Sequence, residues 1–382
     1  MIGTGDIFSS GPSFDPVRLA IARELAGLTK TELAALIDKT PSALSQFESG
    51  RARPDPQTLR RISLAVGLPL AFFNRRAGTA PVPLDACHFR SLRSATQKDR
   101  RRLLAVATLL CELVGRLDEE FELPQDAVSP MANTPKDERG IEALADELRH
   151  AWGLGLAPIK NMVRLLEAKG VIVSPIVDGC EEVDAFSLWH AHRPLIFLVL
   201  DKHSPSRSRF DAAHELGHLV MHVDVTPASQ EVERQANRFA SAFLMPQAQF
   251  VRECPTRLNW DQLEKLKLRW GVSLAALVRR GRDLGVYTEA TYRRACVQLN
   301  QRFNSGGIRR PEPNEPPPEV PTVIKDALAE LHPDVGPEGL AMHFALSPSA
   351  LRLMLPLVAG VVLHHDPLAS TREGHGREGE RG

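Results

Sequence analysis

None of the five cysteines, Cys87, Cys111, Cys180, Cys254 and Cys296, forms a C-x-x-C pair with another. That absence argues against a cysteine-built zinc site, and thiols scattered in this way read as reduced, mostly buried groups of a cytoplasmic protein. No signal peptide opens the sequence and no apolar run approaches the length of a membrane span, so no membrane partner is expected. Net charge is missing as well, because 47 Lys and Arg balance 47 Asp and Glu. A basic field over the whole protein is therefore excluded, and any contact with nucleic acid must come from a local patch. What remains is the composition of a soluble globular protein, 43% hydrophobic and 25% charged, over 382 residues. That length exceeds one ordinary core and calls for two or three domains.

The stretch that organises the rest is Phe210-Asp211-Ala212-Ala213-His214-Glu215-Leu216-Gly217-His218-Leu219-Val220-Met221-His222. Its centre is an H-E-x-x-H pattern on a predicted helix. His214 and His218, four apart, stand one turn above each other on the same face, so both imidazoles can reach one metal ion, and zinc is its natural occupant. Glu215 lies beside that face, where its carboxylate can move a proton between water and a leaving amine. The chemistry implied is peptide hydrolysis. A third ligand should be a carboxylate carried by a second helix, and the stretch 231–246, with Glu233 and Asn237 one turn apart and small Ala236 and Ala240 for close approach, supplies it.

The amino-terminal segment reads as five short helices over 15–73. The first, over 15–25, sets Val17, Ile21 and Leu25 at helical spacing, widened by Leu19 and Ala22. Thr29 and Glu32 form a capping box for the second, and Thr40 with Pro41 opens the third. That third helix turns Leu44 and Phe47 inward and leaves Ser42, Ala43, Ser45 and Gln46 outward, small and hydrogen-bonding residues that suit the floor of a major groove. Arg51 and Arg53 in the following loop are placed for phosphates. Leu28-Thr29-Lys30-Thr31-Glu32-Leu33-Ala34, Ser42 through Pro54, and Thr58-Leu59-Arg60-Arg61-Ile62 together resemble the Xre/Cro/cI-type helix-turn-helix family. The resemblance implies base contacts from Ser42, Ala43, Ser45 and Gln46 and backbone contacts from Lys30, Arg51 and Arg53 on double-stranded DNA, with a homodimer on a two-part site. The turn position usually held by glycine is Asp38, which tolerates a left-handed backbone, and the apolar residue expected next is Lys39. A module kept for protein contacts is the other reading of this segment.

After a short linker, the basic stretches 88–93 and 98–102 either extend the DNA footprint or form a solvated face. Leu103, Ala107, Leu110, Val114 and Leu117, with Leu104 beside them, mark a long amphipathic helix, and 124–135 reads as a loop. Helices over 138–152 and 159–168 precede strand signals at 170–173, 184–189 and 194–200, an α+β arrangement that leads into the metal helix. The run 196–200 is the candidate edge strand for an extended substrate. Helices over 260–270 and 273–284 follow. Pro311, Pro313, Pro316, Pro317 and Pro318 then mark a linker with little that could pack. Helices over 323–331, 336–344 and 348–355 form a docking or dimerisation unit, and the charged, Gly-rich tail is disordered.

The combination F-x-x-A-H-E-L-G-H, then E-x-x-A-N-x-F-A, then L-M-P, together with Leu266 through Ser273, is similar to the ImmA/IrrE family of metallo-endopeptidases, whose members cleave or inactivate partner repressors. The resemblance implies His214, His218 and Glu233 as metal ligands and Glu215 as general base. His222, at i+8 from His214, drifts about 80° around the helix and is better suited to packing or to a second layer around the site. Glu231 points roughly 160° away from Glu233, and Asp224 follows the first helix too closely to be preferred. His190, His192 and His203 all flank the strands, and any of them could stabilise an oxyanion.

The fold class expected is thus multidomain, an all-α five-helix helix-turn-helix domain followed by an α+β zincin-like metallopeptidase domain with a small sheet and a helical carboxyl-terminal extension. Its parts are a flexible lead over 1–14, the DNA-binding domain over 15–76, a linker and amphipathic helix over 77–135, the metallopeptidase domain over 136–304, the proline-rich linker over 305–321, the small helical unit over 322–365 and the tail over 366–382. The function expected is a cytoplasmic, DNA-binding regulator whose Zn2+ endopeptidase cuts a protein substrate, a repressor. The alternative is a non-catalytic transcription factor or antitoxin-type regulator with the metal domain as sensor or structural module. The presence of Glu215 favours catalysis, since a purely structural zinc needs no base.

Overall fold

The computed structural model describes residues 14–74, 78, 80–83, 96–131, 134, 135, 137–176, 184–200, 204–223, 229–305, 308, 309 and 312–360. The expected lead up to residue 13, the basic stretch 88–93, His203, Asp224 and the tail over 366–382 lie outside the described residues. The chain divides into two units, one built from 1–124, 176–183 and 323–361, the other from 125–175, 184–322 and 362–382. The regular structure of the first is helical among the described residues, save Ile176 at the end of a strand; the second is α+β with a small three-stranded sheet and a helical carboxyl-terminal part.

The first unit begins with α1 (Pro16–Leu25), α2 (Lys30–Leu36), α3 (Pro41–Glu48), α4 (Pro56–Val66) and α5 (Leu70–Asn74). Local chemistry sets each start. The Asp15 carboxylate accepts the Val17 amide, Thr29 and Glu32 close a reciprocal capping box, Thr40 caps α3 and Asp55 caps α4. Asp38 holds the turn between α2 and α3 in the left-handed region, at φ 60°. The inward stripe of α1 is Leu19, Ile21, Ala22 and Leu25, whereas Val17 is half-buried. Arg18 and Arg23 are buried on this helix because Glu112 and Glu48 neutralise them at 2.6 and 2.5 Å. Then α6 (Gln97–Glu120), capped by Thr96, buries Leu103 through Val114 without interruption, more than the single apolar stripe in its sequence requires.

The second unit opens with residues 125–131, which run without helix or strand and are tied down by Ala127 N–H to Lys169 O and Met131 N–H to Val220 O. It continues with α7 (Glu138–Ala151), α8 (Met162–Ala168), β1 (Ile172–Ile176), β2 (Ala185–His190), β3 (Arg193–Val199), α9 (Pro205–Met221), α10 (Gln230–Leu244), α11 (Gln247–Glu253), α12 (Trp260–Trp270), α13 (Leu274–Asp283), α14 (Glu289–Phe303) and the two-residue strands β4 (Asn304–Ser305) and β5 (Ile308–Arg309). The sheet order is β1-β3-β2, with β2 and β3 antiparallel and Ser187 opposite Ile196. The run 196–200, expected at a sheet edge, therefore lies mostly in the central strand, and both its neighbours already occupy its backbone groups. β3, apolar from Pro194 to Val199 and buried along its whole length, fits that place, because a central strand is covered on both faces. The core gathers Ile196 and Leu198 of the sheet with Leu216 and Val220 of α9 and Phe239 and Phe243 of α10.

Residues 312–322, read from sequence as part of a linker with little that could pack, instead carry three carboxylates into the second unit. Glu312 and Glu315 hold the fully buried Lys267 ammonium at 2.9 and 2.5 Å. Glu315 also accepts the Ser206 amide and hydroxyl. Glu319 pairs with the buried Arg209 and accepts the amides of Met162 and Val163 at the start of α8. A buried cation needs a buried anion, and this segment supplies the anions for Lys267 and Arg209. Beyond it, α15 (Val323–Leu331), α16 (Pro337–His343) and α17 (Pro348–Met354) return to the first unit, where α17 packs on α6. Leu340, Leu351 and Met354 are buried there, which accounts for the second buried face of α6.

Candidate metal centre and nucleic-acid face

Two helices make the metal centre. Pro205 at the first position starts α9, and Ser229 caps α10 by accepting the Val232 amide. They approach closely at Gly217, where a Cβ would lie 3.0 Å from the Phe239 ring, and Ala236 and Ala240 on the facing helix are fully buried. This closeness brings Glu233 of α10 to His214 and His218 of α9. One ligand atom from each lies within 4.8 Å of the others, the one such cluster among the described residues. The Nε2 atoms of His214 and His218 are 3.0 Å apart, Glu233 Oε2 is 3.3 Å from His214 Nε2, and Glu233 Oε1 is 3.8 Å from His218 Nε2.

The donor set fits a zinc ion. Ligands about 2.0–2.1 Å from a tetrahedral zinc stand roughly 3.3 Å from one another, close to the His214–His218 and His214–Glu233 separations. Glu233 Oε2 is buried and has no hydrogen-bond partner, since its approach to His214 lacks hydrogen-bond geometry. A buried carboxylate oxygen left in that state is costly, and a cation is the partner that satisfies it.

Glu215 is buried next to this cluster, and its Oε2 accepts a hydrogen bond from Ser187 Oγ at 2.6 Å. Burial pushes its carboxyl up to about 7, against the opposing pull of His214 and the Ser187 hydroxyl. A carboxyl held there can both take and return a proton near neutrality. Ser187 sits on β2, 28 residues upstream, and had no signal of its own in the sequence. His222, fully buried, turns its Nδ1 toward His218 Nδ1 at 3.1 Å and its Nε2 toward Gln235 Oε1 at 3.0 Å. Of the oxyanion candidates, His190 is half-buried at the end of β2 and His192 is exposed in the β2–β3 turn; neither belongs to the ligand cluster. Glu231 is half exposed and bonded to Arg234, away from the ligands.

On the helix-turn-helix, α3 buries Leu44 and Phe47 and presents Ser42 and Gln46 fully and Ala43 and Ser45 partly. Arg51 and Arg53 are exposed and make no ion pair among the described residues. Lys30 is half exposed, but its ammonium lies 3.1 Å from Glu48 Oε2, so a phosphate at that position must share it.

Residues 19–73 match the family model described as helix-turn-helix, and residues 167–281 match the Peptidase_M78 model, described as IrrE N-terminal-like domain. The chain thus carries a helix-turn-helix domain followed by a metallopeptidase-type domain, and the second family implies a metal, typically zinc. Among curated proteins, the endothelial differentiation-related factor 1 homolog of Danio rerio is 35% identical over 65 residues, 17% of this chain and 41% of its own length. Endothelial differentiation-related factor 1 of Homo sapiens is 44% identical over 48 residues, 13% of this chain and 32% of its own length. The chain spans less than half the length of the curated relatives it matches.

Proposed function

We propose that this chain, which joins a helix-turn-helix domain to an IrrE N-terminal-like metallopeptidase domain, is a DNA-binding regulator that cuts a partner protein, a repressor, with a zinc centre held by His214, His218 and Glu233. The observation that carries the reading is the buried Glu233 carboxylate, whose Oε2 has no hydrogen-bond partner and whose two oxygens approach the His214 and His218 nitrogens, with Glu215 beside them. Zinc bound there would supply Lewis acidity toward a peptide carbonyl. The protein's own part in the reaction is proton transfer. Glu215 takes a proton from the attacking water as oxygen joins the carbonyl carbon, and returns it to the amide nitrogen as the carbon–nitrogen bond breaks. Ser187 holds the Glu215 carboxylate by Oε2 and so orients the other oxygen. For the substrate backbone, β2 replaces the run 196–200 as the pairing edge, since it is an outer strand and packs against α9.

The DNA-facing half of the reading rests on the open α3 surface. Ser42, Ala43, Ser45 and Gln46 serve as base-contacting residues, Arg51 and Arg53 as phosphate contacts, and Lys30 as a phosphate contact shared with Glu48. One copy of such a module binds weakly, so a homodimer on a two-part operator follows, measurable by sedimentation with and without DNA. Such a regulator works in the cytoplasm, where DNA and repressor are both within reach. The discriminating experiment co-expresses the chain with the repressors encoded beside its gene and follows their length, for wild type and Glu215→Gln. Cleavage by wild type alone, with zinc retained in both, is expected. Intact repressors in both, with DNA binding unchanged, would leave a non-catalytic regulator whose metal domain senses or stabilises.

A further inference from the structure

A chain of four side chains runs behind the metal centre, and each link has a direction. It begins at Glu231, whose carboxylate can only accept and does so from Gln235 Nε2 at 3.1 Å and from Arg234. The Gln235 amide is thereby oriented, with nitrogen toward Glu231 and Oε1 toward His222. That oxygen lies 3.0 Å from His222 Nε2, which must therefore carry a proton to donate. With its proton on Nε2, a neutral His222 ring has a lone pair on Nδ1, and this atom is 3.1 Å from His218 Nδ1. His218 Nδ1 must then be the donor. Its Nε2 is left with a lone pair, aimed at His214 Nε2 and Glu233, where the ligand atoms converge.

We propose that Gln235, oriented by Glu231, sets the tautomer of His222 and through it that of His218, which makes His222 and Gln235 positioning residues for the metal ligand. This rests on the metal reading of His214, His218 and Glu233. The two helices divide the work. His218 and His222 are one turn apart on α9 and at its cap, Glu231 and Gln235 one turn apart on α10, so the same close packing that delivers Glu233 also delivers the acceptor for His222. Both histidines are buried, and Gln235 is nearly so, which keeps water from substituting for either link. Without the relay, His218 is free to hold its proton on Nε2, the form that cannot bind a cation.

The test uses the full-length protein stripped of metal and measures zinc affinity by competition with a chromophoric chelator, together with long-range proton–nitrogen NMR of histidine-labelled, zinc-loaded wild type. The expected spectrum has the His222 proton on Nε2 and the His218 proton on Nδ1. His222→Phe and Gln235→Met should each bind zinc about 10- to 100-fold more weakly. Gln235→Met guards against His222→Phe failing to fold, and its His222 ring should populate both tautomers. Zinc bound by wild type with the His222 proton on Nδ1, or an unchanged dissociation constant in folded Gln235→Met, overturns the relay and leaves the metal reading standing. A wild type that takes up no zinc overturns both.

Discussion

Two helix pairs carry the two activities proposed for this chain, and they present their residues in opposite ways. In α2–α3 the residues proposed to meet a partner lie on the surface, and the buried ones, Leu33, Leu44 and Phe47, hold α3 in place. In α9–α10 the proposed working residues lie in the interior: His218 is 1% exposed, Glu215 3% and Glu233 6%, with His214 partly buried. A surface that reads DNA takes its binding partner from solvent and can lose one contact at a time. A buried centre must satisfy every polar atom internally or by its ion, so its residues depend on one another.

Substitutions sharpen this contrast, and the largest effect is expected at the buried base. Glu215→Gln keeps the volume and the zinc but removes the proton acceptor, so cleavage of a susceptible repressor should fall by about 100- to 10,000-fold. A metal assay must accompany it, because loss of zinc would give the same loss of cutting for another reason. Glu233→Ala should lose zinc instead, and a variant with full metal content would show that another carboxylate is the ligand.

Next in size is the carboxylate strap of the same unit. Glu319→Ala leaves the Arg209 guanidinium buried with only the carbonyls of Ile159, Lys160 and Trp270 as partners. Urea unfolding of the second unit should show a loss of about 3 kcal/mol. No change would mean that the 312–322 segment does not hold this unit together.

At the exposed face the effects should be smaller and separable. Gln46→Ala is expected to weaken binding to the chain's own upstream region by about tenfold, with altered base preference. Arg51→Ala should weaken it for all sequences and reduce the salt dependence by about one contact. Equal affinity in the double variant would remove α3 as the reading helix. Smallest of all, Thr29→Ala deletes one side of the capping box of α2, with about 1 kcal/mol of stability lost in thermal unfolding and little change elsewhere.

Local signals made much of this architecture legible. Thr29, Thr40 and Ser273 mark helix starts because a cap is a bond between a side chain and an amide two or three residues away. The left-handed turn at Asp38 could be anticipated for the same reason. Helix α14 went unread, since its sequence carries little apolar periodicity and only Ala295 is buried on it. The prolines around 312–322 read as a linker because proline reports on backbone stiffness; the glutamates among them meet Lys267 and Arg209 only after folding.

By itself, then, the sequence determined most of the helices, several of their caps, the apolar faces and the pairing of His214 with His218 on one helical turn, all set by spacing along the chain. Tertiary structure alone decided that β3 is central and β2 an edge, that α17 covers the second face of α6, and that Ser187 and Gln235 join His222 around the site. The reason is physical: hydrogen bonds and burial between distant residues depend on how helices and strands pack, and at Gly217 that packing turns on the absence of a single methyl group.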